Sequence, residues 1–308
     1  MAPGPQWGVP PPISDDQVPA FWAGLDLPGL VDIHVHFLPD RMLHKVWAYF
    51  DRVAERAGAP SWPIWYRTGQ PERLATLRAL GVRAFPALTY PHKPGMAGWL
   101  NGWAAQFAAA TPDCVPTATF YPEPQAGTDI AAALAAGVRV VKAHLQVGGY
   151  DPNDPLLDPV WGQLAEAGVP VVCHCGSGPE PGAFTGPEPI GRVLRRFPDL
   201  TLVVAHLGMP EYAAFLALAD RYPRVHLDTT LAFTPFAERV MPFPVGLRPR
   251  LADLADRIVL GSDFPNVPHP YAVQLASLAE LDLGDDWLRA VLWHNPARLL
   301  GVPRPAAG

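Results

Sequence analysis

Residues 200–222 read LTLVVAHLGMPEYAAFLALADRY and contain the unit from which we infer the fold. A continuous apolar run ends in a histidine, and an amphipathic helical segment follows it. Continuous apolar runs are typical of parallel strands, because helices cover such a sheet and bury its strands. The stretch therefore predicts a strand that ends near His206 and a helix that packs against it.

The same pattern occurs eight times along the chain. Several of the helical segments between the apolar runs end in glycine, which commonly terminates a helix. The runs lie at 30–36, 82–90, 114–123, 139–145, 169–175, 200–208, 224–230 and 257–265. Eight such units in about 270 residues predict a (β/α)8 TIM barrel. A doubly wound open sheet is the alternative, but no GxGxxG follows the first run.

We expect a single α/β domain with two additions. Residues 1–26 form a proline-rich N-terminal arm that packs on the barrel or frays, and residues 27–308 form the barrel. Residues 38–70 form an insertion after the first strand. The chain shows no composition break that would divide it further.

Composition excludes several classes of protein. The 308 residues are 49% hydrophobic and carry a net charge of −6, with no basic patch that would favour nucleic acid. The sequence contains no run of 18 apolar residues, so no membrane span is predicted. The N-terminus lacks the features of a signal peptide, and three cysteines are too few for a disulfide framework. We expect a cytoplasmic protein with a small-molecule partner, and a homodimer is left open.

Polar residues end many of the apolar runs. In a parallel barrel these ends open on one face, where active sites lie. His34 and His36, in VDIHVH at 31–36, share one face of a strand and can hold one metal ion. A buried imidazole cluster without a cation would leave several polar groups unsatisfied. We therefore predict a metal centre built from strand ends, where the other polar residues are Lys142, His144, His174, His206 and Asp263.

These motifs resemble the amidohydrolase superfamily. The similarity rests on HxH after the first strand, histidines at strands five and six, and GSDFP at 261–265. It covers about residues 29–301 and is nearest to the amidohydrolase-related (amidohydrolase 2) branch, which includes aminocarboxymuconate semialdehyde decarboxylase. The resemblance implies that a divalent zinc, manganese or iron ion is bound by His34, His36, His174 and Asp263. It also implies that His206 acts as the catalytic acid or base together with Asp263.

The number of ions, one or two, is left open. Lys142 matches the position at which binuclear members carry a carbamylated lysine, although we favour a structural or substrate-anchoring role. His144 lies on the same strand face as Lys142. Lys142, His144, His206 and Glu211 are therefore candidates for a second metal site or for substrate contacts. For Glu211 the simpler explanation is a favourable position in the first turn of a helix.

Two supporting roles follow from strand geometry. Asp228 ends the seventh run and is expected to orient a ligand histidine. Cys173 and Cys175 flank His174, so side-chain alternation directs them towards the helices as small apolar residues.

Aromatic residues cluster around the second strand and in the insertion. If the insertion covers the barrel mouth, it forms an apolar lid that favours a bulky, partly apolar substrate. The candidate substrate-binding residues are His92, Lys93, Trp65 and Trp99.

Three reactions fit these residues. The leading hypothesis is a metal-dependent hydrolase that uses a metal-activated water on an amide, ester or thioester. The alternatives are a nonheme di-iron oxygenase (monooxygenase) that hydroxylates a large, for instance CoA-linked, substrate, and a nonoxidative decarboxylase of an aromatic or unsaturated acid. Hydrolysis leads because it is the commonest chemistry in the superfamily.

Overall fold

A computed structural model describes residues 9–54 and 61–303 of the chain. Residues 1–8 of the predicted arm and residues 55–60 of the insertion lie outside the described residues. None of the described helices is long and apolar enough to span a membrane.

The described strands are all parallel and form two sheets, and within each sheet a strand pairs with the next along the chain. One sheet contains β1 to β3 and the other β4 to β9. Pro116 separates β3 from β4, so these two strands are halves of the third predicted run. The strands are Leu30–Val31 (β1), Val82–Pro86 (β2), Cys114–Val115 (β3), Thr117–Thr119 (β4), Val140–His144 (β5), Val171–His174 (β6), Leu202–Val204 (β7), Val225–Asp228 (β8) and Ile258–Val259 (β9).

The last strand returns to the first. Val35 forms a parallel bridge with Phe264, and the backbone N–H of His36 donates to the Phe264 carbonyl at 2.7 Å. The N–H of Asp263 donates to the His34 carbonyl at 2.8 Å. Within the first predicted run, only Leu30–Val31 forms a regular strand. Residues 34–36 are held by the contacts with residues 263–264 instead of by a continuous ladder. The predicted TIM-barrel fold is confirmed.

Helices follow the strands and cover them. Glycines in the left-handed region end four of these helices, as expected: Gly81 after α3, Gly149 after α6, Gly168 after α7 and Gly301 after α14. The helices are Val18–Gly24 (α1), Asp40–Ala54 (α2), Gln70–Leu80 (α3), Ala97–Ala110 (α4), Ala126–Ala135 (α5), Leu145–Gly148 (α6), Asp158–Ala167 (α7), Pro187–Arg196 (α8), Tyr212–Arg221 (α9), Pro235–Val240 (α10), Pro249–Asp253 (α11), Tyr271–Ala279 (α12), Asp285–Arg289 (α13) and Asn295–Leu300 (α14).

The described part of the N-terminal arm packs on the barrel. Val18 and Phe21 of α1 are buried in the hydrophobic core. The Asp15 carboxylate accepts hydrogen bonds from the Tyr66 hydroxyl and the Ala272 backbone N–H. Residues 9–26 are therefore tied both to the insertion and to the segment after the last strand.

Candidate metal centre

His34, His36 and Asp263 converge at the carboxyl ends of the first and last strands. One ligand atom from each lies within 4.8 Å of the others. His36 Nε2 is 2.9 Å and His34 Nε2 is 3.6 Å from Asp263 Oδ1. Both histidines are buried. Three of the four predicted ligands therefore form one compact group of two imidazole nitrogens and a carboxylate oxygen.

The two histidines are oriented by hydrogen bonds on their far sides. His34 Nδ1 donates to Asp228 Oδ2 at 2.9 Å, and His36 Nδ1 donates to the Leu88 carbonyl at 2.8 Å. With the hydrogen on Nδ1, each ring keeps its Nε2 lone pair on the side of Asp263. Two imidazoles and a carboxylate suit zinc, manganese or iron(II). The donor set therefore fits a divalent cation.

Charge in this group matches what ligation requires. Burial, with the nearby Lys142 cation, lowers the pKa of His34 to about 4. Burial alone would raise the pKa of Asp263, but the hydrogen bond and charge of His36, together with His34, outweigh it and lower that pKa. At neutral pH the group offers a neutral His34 imidazole and an ionised carboxylate, the forms that bind metals.

Asp228 positions two residues of the site. The sequence predicts such a role for it at a ligand histidine, here His34. Its Oδ2 accepts from His34, while its Oδ1 accepts the backbone N–H of His206 at 2.9 Å. His206 has a φ of 57° and Asp263 a φ of 64°, both in the left-handed region. Such conformations cost about 1–3 kcal/mol each outside glycine and persist where surrounding contacts impose them. Asp228 supplies one of these contacts at His206.

Six aromatic rings form a closed circle at the mouth. They come from the ends of the first, second, fourth, fifth and sixth predicted strands. Neighbouring ring centroids are 4.1–5.4 Å apart, and His144 stacks on His174 with an interplanar angle of 8°. In order around the circle the residues are His34, His36, Tyr90, His144, His174 and His206.

His174 contacts His206 rather than joining the compact group of three ligands. Its Nε2 donates to the Gly178 carbonyl at 2.8 Å, so its Nδ1 is an acceptor and lies 3.1 Å from His206 Nε2. The other ring nitrogen of His206 lies 3.3 Å from the Thr230 carbonyl. Both nitrogens of His206 thus face acceptors, which favours a proton on each, whereas burial lowers its pKa. The ligand role of His174 and the acid–base role of His206 stay predictions.

Lys142 and His144 lie on the same side of the circle but differ in their contacts. Lys142 is fully buried, its Nζ is 3.0 Å from His34 Nε2, and burial lowers its pKa. His144 Nδ1 accepts the Val147 backbone N–H at 3.3 Å. A neutral His144 in this arrangement carries its hydrogen on Nε2, where it is a donor rather than a metal ligand.

Glu211 precedes α9 and connects two loops. Its Oε2 accepts the Ser177 backbone N–H at 3.1 Å. This contact ties the loop after β6 to the segment after β7, and it gives the Glu211 carboxylate a partner outside the compact ligand group. A role for Glu211 at a second metal stays untested.

The candidate substrate-binding residues lie at the surface around the mouth. Trp65 is 57% exposed and Trp99 is 53% exposed, and His92 and Lys93 are exposed in the loop after β2. The backbone N–H of Trp65 donates to the Val267 carbonyl, which places Trp65 beside the loop that follows Asp263. Their contact with a substrate stays a prediction.

The insertion is anchored to the same loop by two indoles. Trp47 Nε1 donates to Asn266 Oδ1 at 3.2 Å, and Trp62 Nε1 donates to the Asn266 carbonyl at 2.8 Å. The Asn266 N–H in turn donates to the Asp263 carbonyl at 2.9 Å. Trp62 also packs edge-on against Phe236 at 4.7 Å between ring centroids. The insertion therefore packs over loops at the metal-ligand end of the barrel.

Sequence reasoning gave no individual role to Asp32 or Gly261 and counted Tyr90 only among the aromatic residues that cluster around the second strand. Asp32 is fully buried and accepts from the His34 N–H at 3.0 Å, the Ser262 N–H at 3.2 Å and the Tyr271 hydroxyl at 2.8 Å. Burial raises the pKa of Asp32 to about 7, although these hydrogen bonds oppose the change. The signal was present, because alternation in VDIHVH places Asp32 on the face of His34.

The two cysteines beside His174 behave as predicted. Cys173 and Cys175 are fully buried in the hydrophobic core. Burial raises the pKa of the Cys175 thiol well above its usual range, so the thiol stays protonated. We assign neither residue to the metal centre.

A separate cavity of about 540 Å³ lies at the opposite end of the barrel, where the strands begin. Its walls include Arg83, Cys114, Val115, Arg139 and Trp293. None of its lining residues belongs to the metal centre. Since active sites of this fold lie at the carboxyl ends of the strands, we assign the chemistry to the histidine-lined mouth.

Comparison with known proteins identifies related sequences and folds. A sequence model of the amidohydrolase family matches residues 31–302. The solved structure of an uncharacterized TIM-barrel protein, Bb4693 from Bordetella bronchiseptica, is similar, with a TM-score of 0.71 and 21% identity over 89% of this chain and 98% of that one.

Two further structures with named activities share the fold. One is a putative 2-pyrone-4,6-dicarboxylic acid hydrolase from Pseudomonas putida, with a TM-score of 0.60 and 19% identity over 91% of this chain and 100% of that one. The other is 5-carboxyvanillate decarboxylase from Novosphingobium aromaticivorans, complexed with manganese and 4-hydroxy-3-methoxy-5-nitrobenzoic acid. It has a TM-score of 0.59 and 16% identity over 89% of this chain and 95% of that one. Comparison with curated proteins gave no match.

Proposed function

Because this chain belongs to the amidohydrolase family, we propose that it is a metal-dependent hydrolase of an amide, ester or thioester with a bulky, partly apolar acyl or leaving group. The observation that carries the proposal is the compact group of His34, His36 and Asp263, with His206 on the same ring of side chains. We propose that these three residues, with His174, hold the divalent cation.

A bound divalent cation polarises a carbonyl group and lowers the pKa of water towards neutrality. Side chains of this protein position the reacting groups and move the proton. Asp228 holds the His34 ring and the His206 backbone in place. His206 Nε2, which faces an acceptor on His174, is the atom that we propose takes up and returns the proton.

The rim of the mouth supports an acidic group on the substrate. His92 and Lys93 are exposed in the loop after β2, and burial together with the charges of Lys93 and Lys45 lowers the pKa of His92. Among the described residues, neither Lys93 nor Lys45 forms an ion pair that would neutralise this end of the mouth. We propose that this rim attracts a carboxylate or phosphate on the substrate.

Nonoxidative decarboxylation of an aromatic or unsaturated acid is the second candidate. It is supported by the structural likeness to a manganese-containing decarboxylase and by the aromatic side chains around the mouth. The same cationic rim and the same proton on His206 would serve that reaction. The products separate the two, since only decarboxylation releases carbon dioxide.

A di-iron oxygenase has less support. It needs a second ligand set, for which the mouth offers His144 as an additional imidazole. In the described arrangement the Nδ1 lone pair of His144 accepts a backbone N–H, so the ring would have to change its partner to bind a second ion.

The proposal is tested with protein purified without added metal. We expect about one manganese or zinc ion per chain by mass spectrometry, and loss of that ion in Asp263→Ala. The loaded protein should hydrolyse members of a panel of aryl esters, thioesters and lactones, and His206→Asn should keep the metal but lose at least about 100-fold in kcat. Release of carbon dioxide from aromatic acids without hydrolysis would replace the hydrolase with the decarboxylase. Two irons per chain with oxygen consumption would overturn both.

A further inference from the structure

We infer that Tyr90 binds an oxygen atom of the substrate, with its phenolic hydroxyl as the hydrogen-bond donor. The ligand class is an oxyanion or carbonyl group held beside His36. The identity of that oxygen as a reacting carbonyl or carboxylate rests on the proposed function, whereas the oxyanion site itself does not.

Tyr90 completes the circle of rings at the mouth. Its ring lies 5.4 Å from that of His36 and 4.8 Å from that of His144, measured between centroids. It is only 9% exposed, although it lies in the loop after β2. Tyr90 therefore stands between the compact ligand group and the stacked pair of His144 and His174.

The Tyr90 hydroxyl forms no hydrogen bond with any residue that the structure describes. It shares this property with the Tyr150 hydroxyl, which lies in the hydrophobic core, and differs in it from three other buried tyrosines. Tyr66 donates to Asp15, Tyr212 donates to the Met241 carbonyl and Tyr271 donates to Asp32. Tyr90 is about nine-tenths buried at the mouth, and no described residue accepts its hydroxyl hydrogen, so this hydrogen can be donated to a ligand.

A second donor lies next to the first. His144 accepts through Nδ1, so its neutral ring presents a hydrogen on Nε2. The hydroxyl of Tyr90 and this N–H together favour an acceptor with lone pairs, such as a carboxylate, over a cation or an apolar group. The charge of His34, His36 and Asp263 alone would not favour a carboxylate over the other two classes of ligand.

The test uses methylphosphonate as a substrate-independent oxyanion probe and measures its binding to manganese-loaded protein by calorimetry. We expect Tyr90→Phe to bind the probe about 10- to 100-fold more weakly, because a hydrogen bond to a charged group is lost. Tyr121→Phe is the matched control. The Tyr121 hydroxyl donates to the Gly148 carbonyl outside the circle, so this variant should bind the probe within about two-fold of the unmodified protein.

A second substitution distinguishes a folding defect from a direct loss of probe binding. Incorporation of 3-fluorotyrosine at position 90 makes the hydroxyl a stronger donor with little change in shape, and we expect tighter binding of the probe. Equal affinity of the unmodified protein, Tyr90→Phe and the fluorinated protein would overturn the inference, as would failure of the unmodified protein to bind the probe.

The outcome is independent of the hydrolase assay. If the ester panel gives no hydrolysis but the probe depends on Tyr90, the proposed function fails and the oxyanion site stands. If hydrolysis occurs and Tyr90→Phe keeps both kcat and probe affinity, the inference fails and the proposed function stands.

Discussion

Gly261 lacks a side chain at a point where three site residues meet. A Cβ atom there would lie 2.4 Å from Thr230 Oγ1, 2.9 Å from His34 Cβ and 3.1 Å from Asp228 Cγ. Because His34 and Asp228 are fully buried and hydrogen-bonded to each other, they have little room to move. The glycine of GSDFP is therefore part of the support for the metal ligand.

Gly261→Ala should weaken metal binding and lower stability. We expect a loss of about 1–3 kcal/mol in the free energy of unfolding, which is typical of overpacking, and at least about 10-fold weaker manganese binding because His34 is displaced. Denaturant unfolding and metal titration measure the two effects.

Gly102→Ala is the matched control for that variant. No heavy atom lies within 4 Å of the position of its Cβ, and alanine is favoured over glycine in a helix such as α4. We expect unchanged metal affinity and equal or greater stability. Equal behaviour of the two alanine variants would contradict the role assigned to Gly261.

At the scale of elements, the insertion and the last strand are coupled through one asparagine. Trp47 on α2 donates to the Asn266 side chain, and Asn266 lies three residues after Asp263. The loop after β2 is held from a different side, since the Gly95 N–H donates to Glu123 Oε2 at 2.8 Å. The insertion is thus tied to the segment that carries Asp263, whereas the loop after β2 is tied to the segment after β4.

Asn266→Ala should loosen the insertion without unfolding the barrel. The Trp47 indole would lose its acceptor, at a cost of about 1–3 kcal/mol for a buried donor. We expect faster amide hydrogen exchange in α2 and a raised KM with a smaller change in kcat. Gln163→Ala, which removes a side-chain contact to the Gly127 carbonyl on the helical layer, serves as the control. Unchanged exchange in α2 would show that the asparagine does not anchor the insertion.

At the scale of the whole molecule, buried histidines make the fold sensitive to acid. Burial, reinforced by Arg298 and Arg257, lowers the pKa of His226 to about 4. His226 Nδ1 has no partner among the described residues. Between about pH 6.5 and 4 the unfolded chain therefore binds a proton at this position that the folded chain does not. The stability that neutral His226 provides is complete above pH 6.5 and is lost as the pH falls towards 4.

His226→Leu should flatten the pH dependence of stability over this range. The difference between pH 7 and pH 4 should shrink by up to about 3 kcal/mol, the value of a shift of this size. Urea unfolding at several pH values in metal-free buffer measures it, and the remaining dependence reports the other buried histidines, such as His34. An identical pH profile in the variant would show that folding does not change the pKa of His226.

The apolar runs contain enough information for the architecture and for the location of the site. Period-two alternation places His34 and His36 on one face, and parallel strands bring His174, His206 and Asp263 to the same end. Both follow from the local rules of strands and helices. The strand boundaries were less predictable, because residues 33–36 are held by backbone contacts to residues 260–264 rather than by a long ladder to β2.

The partners of each side chain were decided by tertiary structure. Whether His174 faces the compact ligand group or His206, which nitrogen of His144 is occupied and whether Tyr90 closes the circle depend on ångström-scale distances between residues from different strands. No local pattern in the chain encodes those distances. Residue type and spacing therefore determined that histidines and an aspartate able to hold a metal ion meet at this end of the barrel, and packing between distant segments decided which of their atoms face one another.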